Sequence, residues 1–159
     1  MNQSSPIPSQ LRQKKNVRRL NTKIINFDSI FAKRNTLKAT LENENLDVIM
    51  GCETKLNSSI LDSEILPEGY KCWRNDRDRN GGGVIVIYKD DLKVTKINAK
   101  VKSELIPVKI ECQGKKPLIM CAAYRPPDSN RQYMDQLCAD IAMIKNSYPD
   151  CAFWCGGGF

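Results

Sequence analysis

Histidine is absent from the 159-residue sequence. That absence removes the Ser-His-Asp and Cys-His arrangements through which many hydrolytic nucleophiles are activated. No Cys-x-x-Cys pair occurs either, so the common zinc sites go with it. No apolar run approaches the roughly 20 residues of a membrane span, and no N-terminal apolar segment resembles a signal peptide. The chain therefore reads as soluble and intracellular. Its seven cysteines are an odd number, and most lie in apolar stretches (Cys52, Cys112, Cys121, Cys138, Cys151). Cysteine in such settings serves as a small hydrophobe, and a secreted disulfide framework is not expected.

Acidic residues are missing from the start of the chain, where Asp28 is the first. Before it stand Arg12, Lys14, Lys15, Arg18, Arg19 and Lys23, which account for all but one of the seven net positive charges. The basic character thus belongs to an N-terminal arm, and the rest is close to neutral. Such an arm can hold phosphates through a salt-sensitive electrostatic attraction, or simply be solvated. Residues 1–20 combine this charge with Ser and Pro and lack apolar periodicity, as a disordered arm or linker does. Residues 21–159 are enough for one domain with a sizeable core.

Within that domain the hydrophobic pattern predicts a strand over 23–27 and a helix over 31–44 capped by Ser29, with Leu37 and Leu41 on its apolar stripe. Asp47-Val-Ile-Met-Gly-Cys-Glu53 is a continuous apolar run closed by a carboxylate, the mark of a central strand buried on both faces. Further strands are expected over 69–74, 84–88, 93–97, 105–112 and 117–124, and short turns between successive strands make them antiparallel. A second helix over 131–147, capped by Asp128 or Ser129, places Met134, Leu137, Cys138, Ile141 and Ile144 on one face. The last strand covers 151–155. The resulting order predicts a layered α/β fold with mixed sheets.

Three strand ends carry chemistry. Glu53 closes a buried strand and needs a hydrogen-bonding or metal partner, unless it is merely exposed. Asn26 stands at another strand end, where Asn also commonly closes a turn. Tyr124-Arg-Pro-Pro127 follows the longest apolar strand; the prolines fix an extended exit, and a rigid turn is the simpler account.

Taken in order, Asn26-Phe-Asp-Ser-Ile30, Asp47 to Leu56, Arg77-Asp-Arg-Asn-Gly-Gly-Gly-Val84, Tyr124-Arg-Pro-Pro127 and Gly156-Gly-Gly-Phe159 form a recognisable series. The sequence resembles the endonuclease/exonuclease/phosphatase superfamily, specifically the endonuclease domain of non-LTR (LINE-like) retrotransposons, which precedes their reverse transcriptase. The resemblance runs from about residue 20 to residue 159 and corresponds to roughly the first two thirds of such a domain. It implies a four-layered sandwich of two packed mixed β-sheets flanked by helices, incomplete at the C-terminus, and Mg²⁺-dependent cleavage of a DNA phosphodiester. By the same resemblance Glu53 is a Mg²⁺ ligand, a hard carboxylate oxygen being what that ion selects. Asn26 helps organise the metal and phosphate site, and Tyr124 brings its hydroxyl to the scissile phosphate. Arg125 adds positive charge nearby without a defined role. DNA is the implied partner, with no membrane and no small-molecule cofactor, and the nucleus is the implied location for a retrotransposon product.

One departure decides the expected outcome. The family pattern at the last strand is Gly-Gly-Asp-Phe-Asn, and here Gly158 stands at the catalytic Asp position. Loss of a general base is worth about 10²- to 10⁴-fold in rate. The family's later Ser-Asp-His segment would lie beyond Phe159, and a chain without histidine holds no copy of it. The sequence therefore predicts an inactive or nearly inactive fragment of the endonuclease domain. The alternatives are a non-catalytic nucleic-acid-binding remnant, or a protein-interaction remnant that self-associates through an unfinished sheet edge.

Overall fold

The computed structural model describes residues 18–78 and 80–159. Its elements run β1 (Thr22–Asn26), α1 (Arg34–Glu44), β2 (Val48–Cys52), α2 (Asp62–Ile65), β3 (Tyr70–Asn75), β4 (Val84–Lys89), β5 (Val94–Lys96), β6 (Glu104–Ile110), β7 (Leu118–Tyr124), α3 (Arg131–Ser147) and β8 (Ala152–Gly158). The strands form two four-stranded sheets, ordered β1-β2-β4-β3 and β5-β6-β7-β8.

Both sheets are mixed, for one physical reason. Parallel neighbours need a crossover between them. The chain supplies two: α1 joins β1 to β2 and α3 joins β7 to β8, and these two pairs are parallel. The remaining pairs are antiparallel.

Apolar side chains fill three spaces. Val48, Met50, Cys52, Val84 and Val86 of one sheet meet Ile106, Val108, Met120 and Ala122 of the other. On the outer face of the first sheet, Ile49, Ile85 and Ile87 pack with Leu37 and Leu41 of α1. On the outer face of the second, Leu105, Ile119 and Cys121 pack with Leu137 and Ile144 of α3. Helix, sheet, sheet and helix make the four layers expected from the sequence. Alternate residues of β2 and β4 face different apolar spaces, so these strands read as unbroken hydrophobic runs.

Several expectations change in detail. Helix α1 begins at Arg34, three residues late, because Ser29 adopts φ 85° and the chain turns once more before coiling; Lys33 is the N-cap and makes no side-chain capping bond. The N-cap of α3 is Asn130, whose side chain accepts from the Tyr133 N–H, rather than Asp128 or Ser129. Cys138 is exposed, and the buried positions of α3 are Leu137, Asp140 and Ile144. Strand β8 continues through its glycines to Gly158. Successive strands β4 and β5 do not pair, since the chain crosses there from one sheet to the other. The four-residue α2 is too short to show a periodic pattern.

All seven cysteines are free, and burial pushes the Cys121 thiol up to about 12. No helix among the described residues is long and apolar enough to cross a membrane. Strands β1 and β8 are sheet edges, and each leaves a large apolar side chain about half exposed, Ile24 and Trp154. Most of the arm expected over 1–20 lies outside the described residues. Of its last three positions, Arg18 is ion-paired with Asp47 and Asp91, and Leu20 packs on the inter-sheet core.

Candidate active site

Strand registers bring the singled-out residues to one pole of the sandwich. Asn26 lies opposite Cys52 at the shared end of β1 and β2, and Glu53 is the next residue. Tyr124 lies opposite Gly158 at the shared end of β7 and β8, and on its other side opposite Glu104, the first residue of β6. The sheets face each other at this end, and the Tyr124 hydroxyl donates a hydrogen bond to Glu53 Oε1.

The backbone here is held in uncommon conformations. Asp28, Ser29, Glu53 and Lys55 all have positive φ, at 44°, 85°, 51° and 51°. For residues with a Cβ this region costs of order 1 kcal/mol each and persists only where the surroundings impose it. They do so through a ladder of loop hydrogen bonds. Ser29 N–H donates to Glu53 O and Ile30 N–H to Thr54 O, both at 3.0 Å. From the other side, Lys55 N–H donates to Gly82 O at 3.0 Å and Thr54 N–H to Gly83 O at 3.5 Å. Glu53 is thereby gripped between the β1 exit and the glycine loop.

Electrostatics separate the groups. Burial pushes the Tyr124 phenol up, and the bond to Glu53 and its charge push it further, so at neutral pH it is a protonated donor. Burial also raises Glu104, against the opposing charge of Arg77, whose Nη1 stands 3.3 Å from Glu104 Oε1. At the rim Lys55 Nζ meets Asp28 Oδ1 at 2.5 Å, and this bond and charge hold the Asp28 carboxyl below its ordinary value.

Asn26 is exposed, and its Oδ1 accepts the Asp28 N–H at 3.2 Å, which closes the turn after β1. Arg125 is turned into its own loop: its Nε donates to Ser129 Oγ at 3.1 Å, while its main-chain N–H donates to Gly158 O at 2.7 Å. Gly158 lies against Tyr124. A Cβ there would stand 3.0 Å from Cys52 Sγ and 3.3 Å from Tyr124 Cδ2, so a side chain at this position would enter the site.

Sequence reasoning missed Glu104, its partner Arg77, and Tyr133. The Tyr133 hydroxyl accepts the Glu104 N–H and donates to Tyr124 O. Arg77 opens the quoted glycine motif but was given no role, and Glu104 left a fainter signal, a carboxylate opening an apolar run as Glu53 closes one.

No group of three or more Cys, Asp or Glu side chains gathers among the described residues. Glu53 is half-buried and offers a single carboxylate. That donor set fits Mg²⁺, which enzymes commonly hold by one or two carboxylates while water and substrate phosphates supply the other ligands.

No protein-family model matches the sequence, and no curated protein matches it. Solved structures do match on fold. The endonuclease domain of TRAS1, a telomere-specific non-LTR retrotransposon, superimposes with a TM-score of 0.61 at 12% identity, over 84% of this chain and 57% of that one. The 3′-5′ exonuclease NExo of Neisseria meningitidis gives 0.60 at 14% identity, over 86% and 55%. TDP2 of D. rerio, solved with a single-strand DNA product, gives 0.57 at 13% identity, over 87% and 59%. The chain thus spans little more than half the length of each. At these identities the likeness is one of fold: the chain has the fold of the endonuclease/exonuclease/phosphatase superfamily and resembles the TRAS1 endonuclease domain.

Proposed function

We propose that this chain is part of a Mg²⁺-dependent DNA phosphodiesterase domain from a retrotransposon reverse-transcriptase polyprotein, and that as it stands it holds DNA without cleaving it. The observation that carries the reading is the hydrogen bond from Tyr124 to Glu53 at a pole where Gly158 stands beside Tyr124. Glu53 would hold the cation, which when bound would neutralise charge on the phosphate oxygens. Tyr124, protonated at neutral pH, would turn its one hydrogen from Glu53 to a phosphate oxygen once the cation takes that carboxylate. Asn26 would orient the phosphate from the end of β1. Gly158 offers no acceptor for a proton of attacking water, and the described residues place no histidine there to replace it. A nuclear place of work follows from the retrotransposon likeness and belongs to the same proposal.

The test is nicking of supercoiled plasmid in Mg²⁺ or Mn²⁺, with filter binding of the same DNA. The expected result is retention that weakens with salt, and nicking no greater than that of Glu53→Ala. Nicking by the wild-type chain that Glu53→Ala abolishes would overturn the inactivity. Absence of retention at low salt would overturn the binding.

A further inference from the structure

Among the described residues, the buried side-chain polar atoms without a hydrogen-bond partner are Thr54 Oγ1 and the two carboxylate oxygens of Glu104. Buried polar groups in native proteins are nearly always fully paired, and here Glu104 has only the Arg77 charge and the Gly83 main chain beside it, so the arrangement calls for an explanation. These atoms flank a single segment, the glycine loop at 81–83. A Cβ on Gly83 would collide with Thr54 Oγ1, and a Cβ on Gly82 would stand 2.6 Å from both Glu104 Oε1 and Arg77 Nε. Gly82 and Gly83 also have φ of 69° and 92°, where other residues are strained. The loop lies directly on these side chains, and glycine is what makes that approach possible.

Stability gives a poor account of the arrangement. Arg77 is about half exposed, and an ion pair with such a partner is worth little while Glu104 still bears the cost of burial. The pair does tie two distant segments together. Arg77 belongs to the loop, where its Nε also donates to Gly81 O at 3.1 Å, and Glu104 belongs to β6, opposite Tyr124. Through Gly82 O and Gly83 O the same loop holds the N–H groups of Lys55 and Thr54, the residues that follow Glu53.

We infer that the Arg77–Glu104 pair is a positioning unit: it seats the glycine loop against β6, and the loop in turn holds Glu53 in its left-handed conformation with its carboxylate on Tyr124. The consequence for a metal rests on the cation role proposed above for Glu53. Neither Arg77 nor Glu104 needs to touch the ion or the phosphate. Without the pair the loop lifts, the Thr54 and Lys55 amides open, and Glu53 relaxes toward the negative φ that residues with a Cβ prefer.

Two readouts on the full chain test this, one of them independent of any metal. The variants are Glu104→Gln, Arg77→Gln, their combination, and Arg77→Lys, which keeps the charge. Amide hydrogen exchange at Thr54 and Lys55 should quicken about 10-fold in either Gln variant, with Ile49 and Met50 in mid-β2 unchanged. Mn²⁺ affinity should fall about 10-fold, the size seen when groups supporting a metal ligand are lost. The double variant should be no worse than either single one, and Arg77→Lys should recover part of both effects. Unchanged exchange at Thr54 and Lys55, or simple addition of the two effects, overturns the inference, as does equal quickening throughout β2. Glu53→Ala is the separate control: if it leaves Mn²⁺ affinity intact, the cation role of Glu53 fails, and exchange alone decides the role of the pair.

Discussion

Tyr133, on the first turn of α3, donates its hydroxyl hydrogen to the main-chain carbonyl of Tyr124 at 3.0 Å, and the same oxygen accepts the Glu104 N–H at 2.9 Å. One phenol on the outer helix therefore closes the end of the β6–β7 ladder at the two residues whose side chains enter the site.

Tyr133→Phe keeps the ring and removes both bonds. It leaves a donor and an acceptor unpaired at a half-buried position, which costs about 1–3 kcal/mol. In a domain of this size that corresponds to a fall in Tm of roughly 3–9 °C. Thermal denaturation with amide exchange at Glu104 checks it. An unchanged Tm and a protected Glu104 amide would show that the ladder end is held by other means.

Asp140, two turns further along the same face of α3, holds the approach to β6. Its Oδ2 accepts from Lys102 N–H, Ser103 N–H and the Ser103 hydroxyl at 3.0, 3.0 and 2.6 Å, and its Oδ1 accepts from Gln136 Nε2 at 2.8 Å. Burial pushes its carboxyl up, but these hydrogen bonds outweigh burial and hold it below its ordinary value. A depressed carboxyl contributes stability that is present above its unfolded value, about 4, and lost as pH falls through its folded value. Asp140→Asn should therefore cost about 1–3 kcal/mol at neutral pH. The gap to wild type should narrow as pH falls below about 4. Denaturant melts of both proteins across that range measure the gap; one that stays constant in acid would refute the ionic account.

The fold was legible in the sequence where one period dominates. Continuous apolar runs located β2, β4 and β7, and the Leu37–Leu41 spacing located α1. Local pattern failed where tertiary contacts decide. Cys138 looks apolar yet faces outward, because the polar Asp140 takes a buried position to hold the 102–103 turn. Ser29 looks like a helix cap but is drawn into the left-handed turn by its bond to Glu53 O. At the site, Asn26, Glu53, Tyr124 and Gly158 each lie in a motif that could be read, and parallel pairing of β1 with β2 and of β7 with β8 sets them at one pole. Arg77 and Glu104 could not be paired by reading, since 27 positions separate them and no local period links a loop to the start of a strand three elements later.

Gly158 has neighbours fitted to glycine. A Cβ there would press on Cys52 Sγ at 3.0 Å and on the Tyr124 ring at 3.3 Å, both tighter than ordinary contact. Gly158→Asp alone should therefore cost about 1–3 kcal/mol through overpacking. Cys52→Ala makes a small cavity by itself, but combined with Gly158→Asp it clears the space. The double variant should be more stable than the sum of the single effects by about 1 kcal/mol, as for residues in contact. A denaturation cycle over the four proteins measures that coupling. Strict additivity would mean that the main chain, rather than Cys52, absorbs the new side chain.

At the opposite pole Asp47 ties down the entry to β1. It is buried, accepts the Asn21 N–H at 2.7 Å and Arg18 Nη2 at 2.5 Å, and has Lys89 Nζ at 3.5 Å. Arg18 also reaches the exposed Asp91 at 2.9 Å. Asp47→Asn removes the charge that three partners share and should cost about 2–4 kcal/mol. Arg18→Ala leaves Asn21 and Lys89 in place and should cost about 1 kcal/mol or less. Strand β2 separates this cluster from Glu53 by five residues, about 17 Å of extended chain. That is roughly twice the screening length at physiological salt. Neither variant should then alter Mn²⁺ affinity, although both remove a charge. Denaturation and Mn²⁺ titration together check the prediction. Equal costs would show that Asp47 is held mainly by Arg18, and a shift in Mn²⁺ affinity would show that the two poles are coupled through β2.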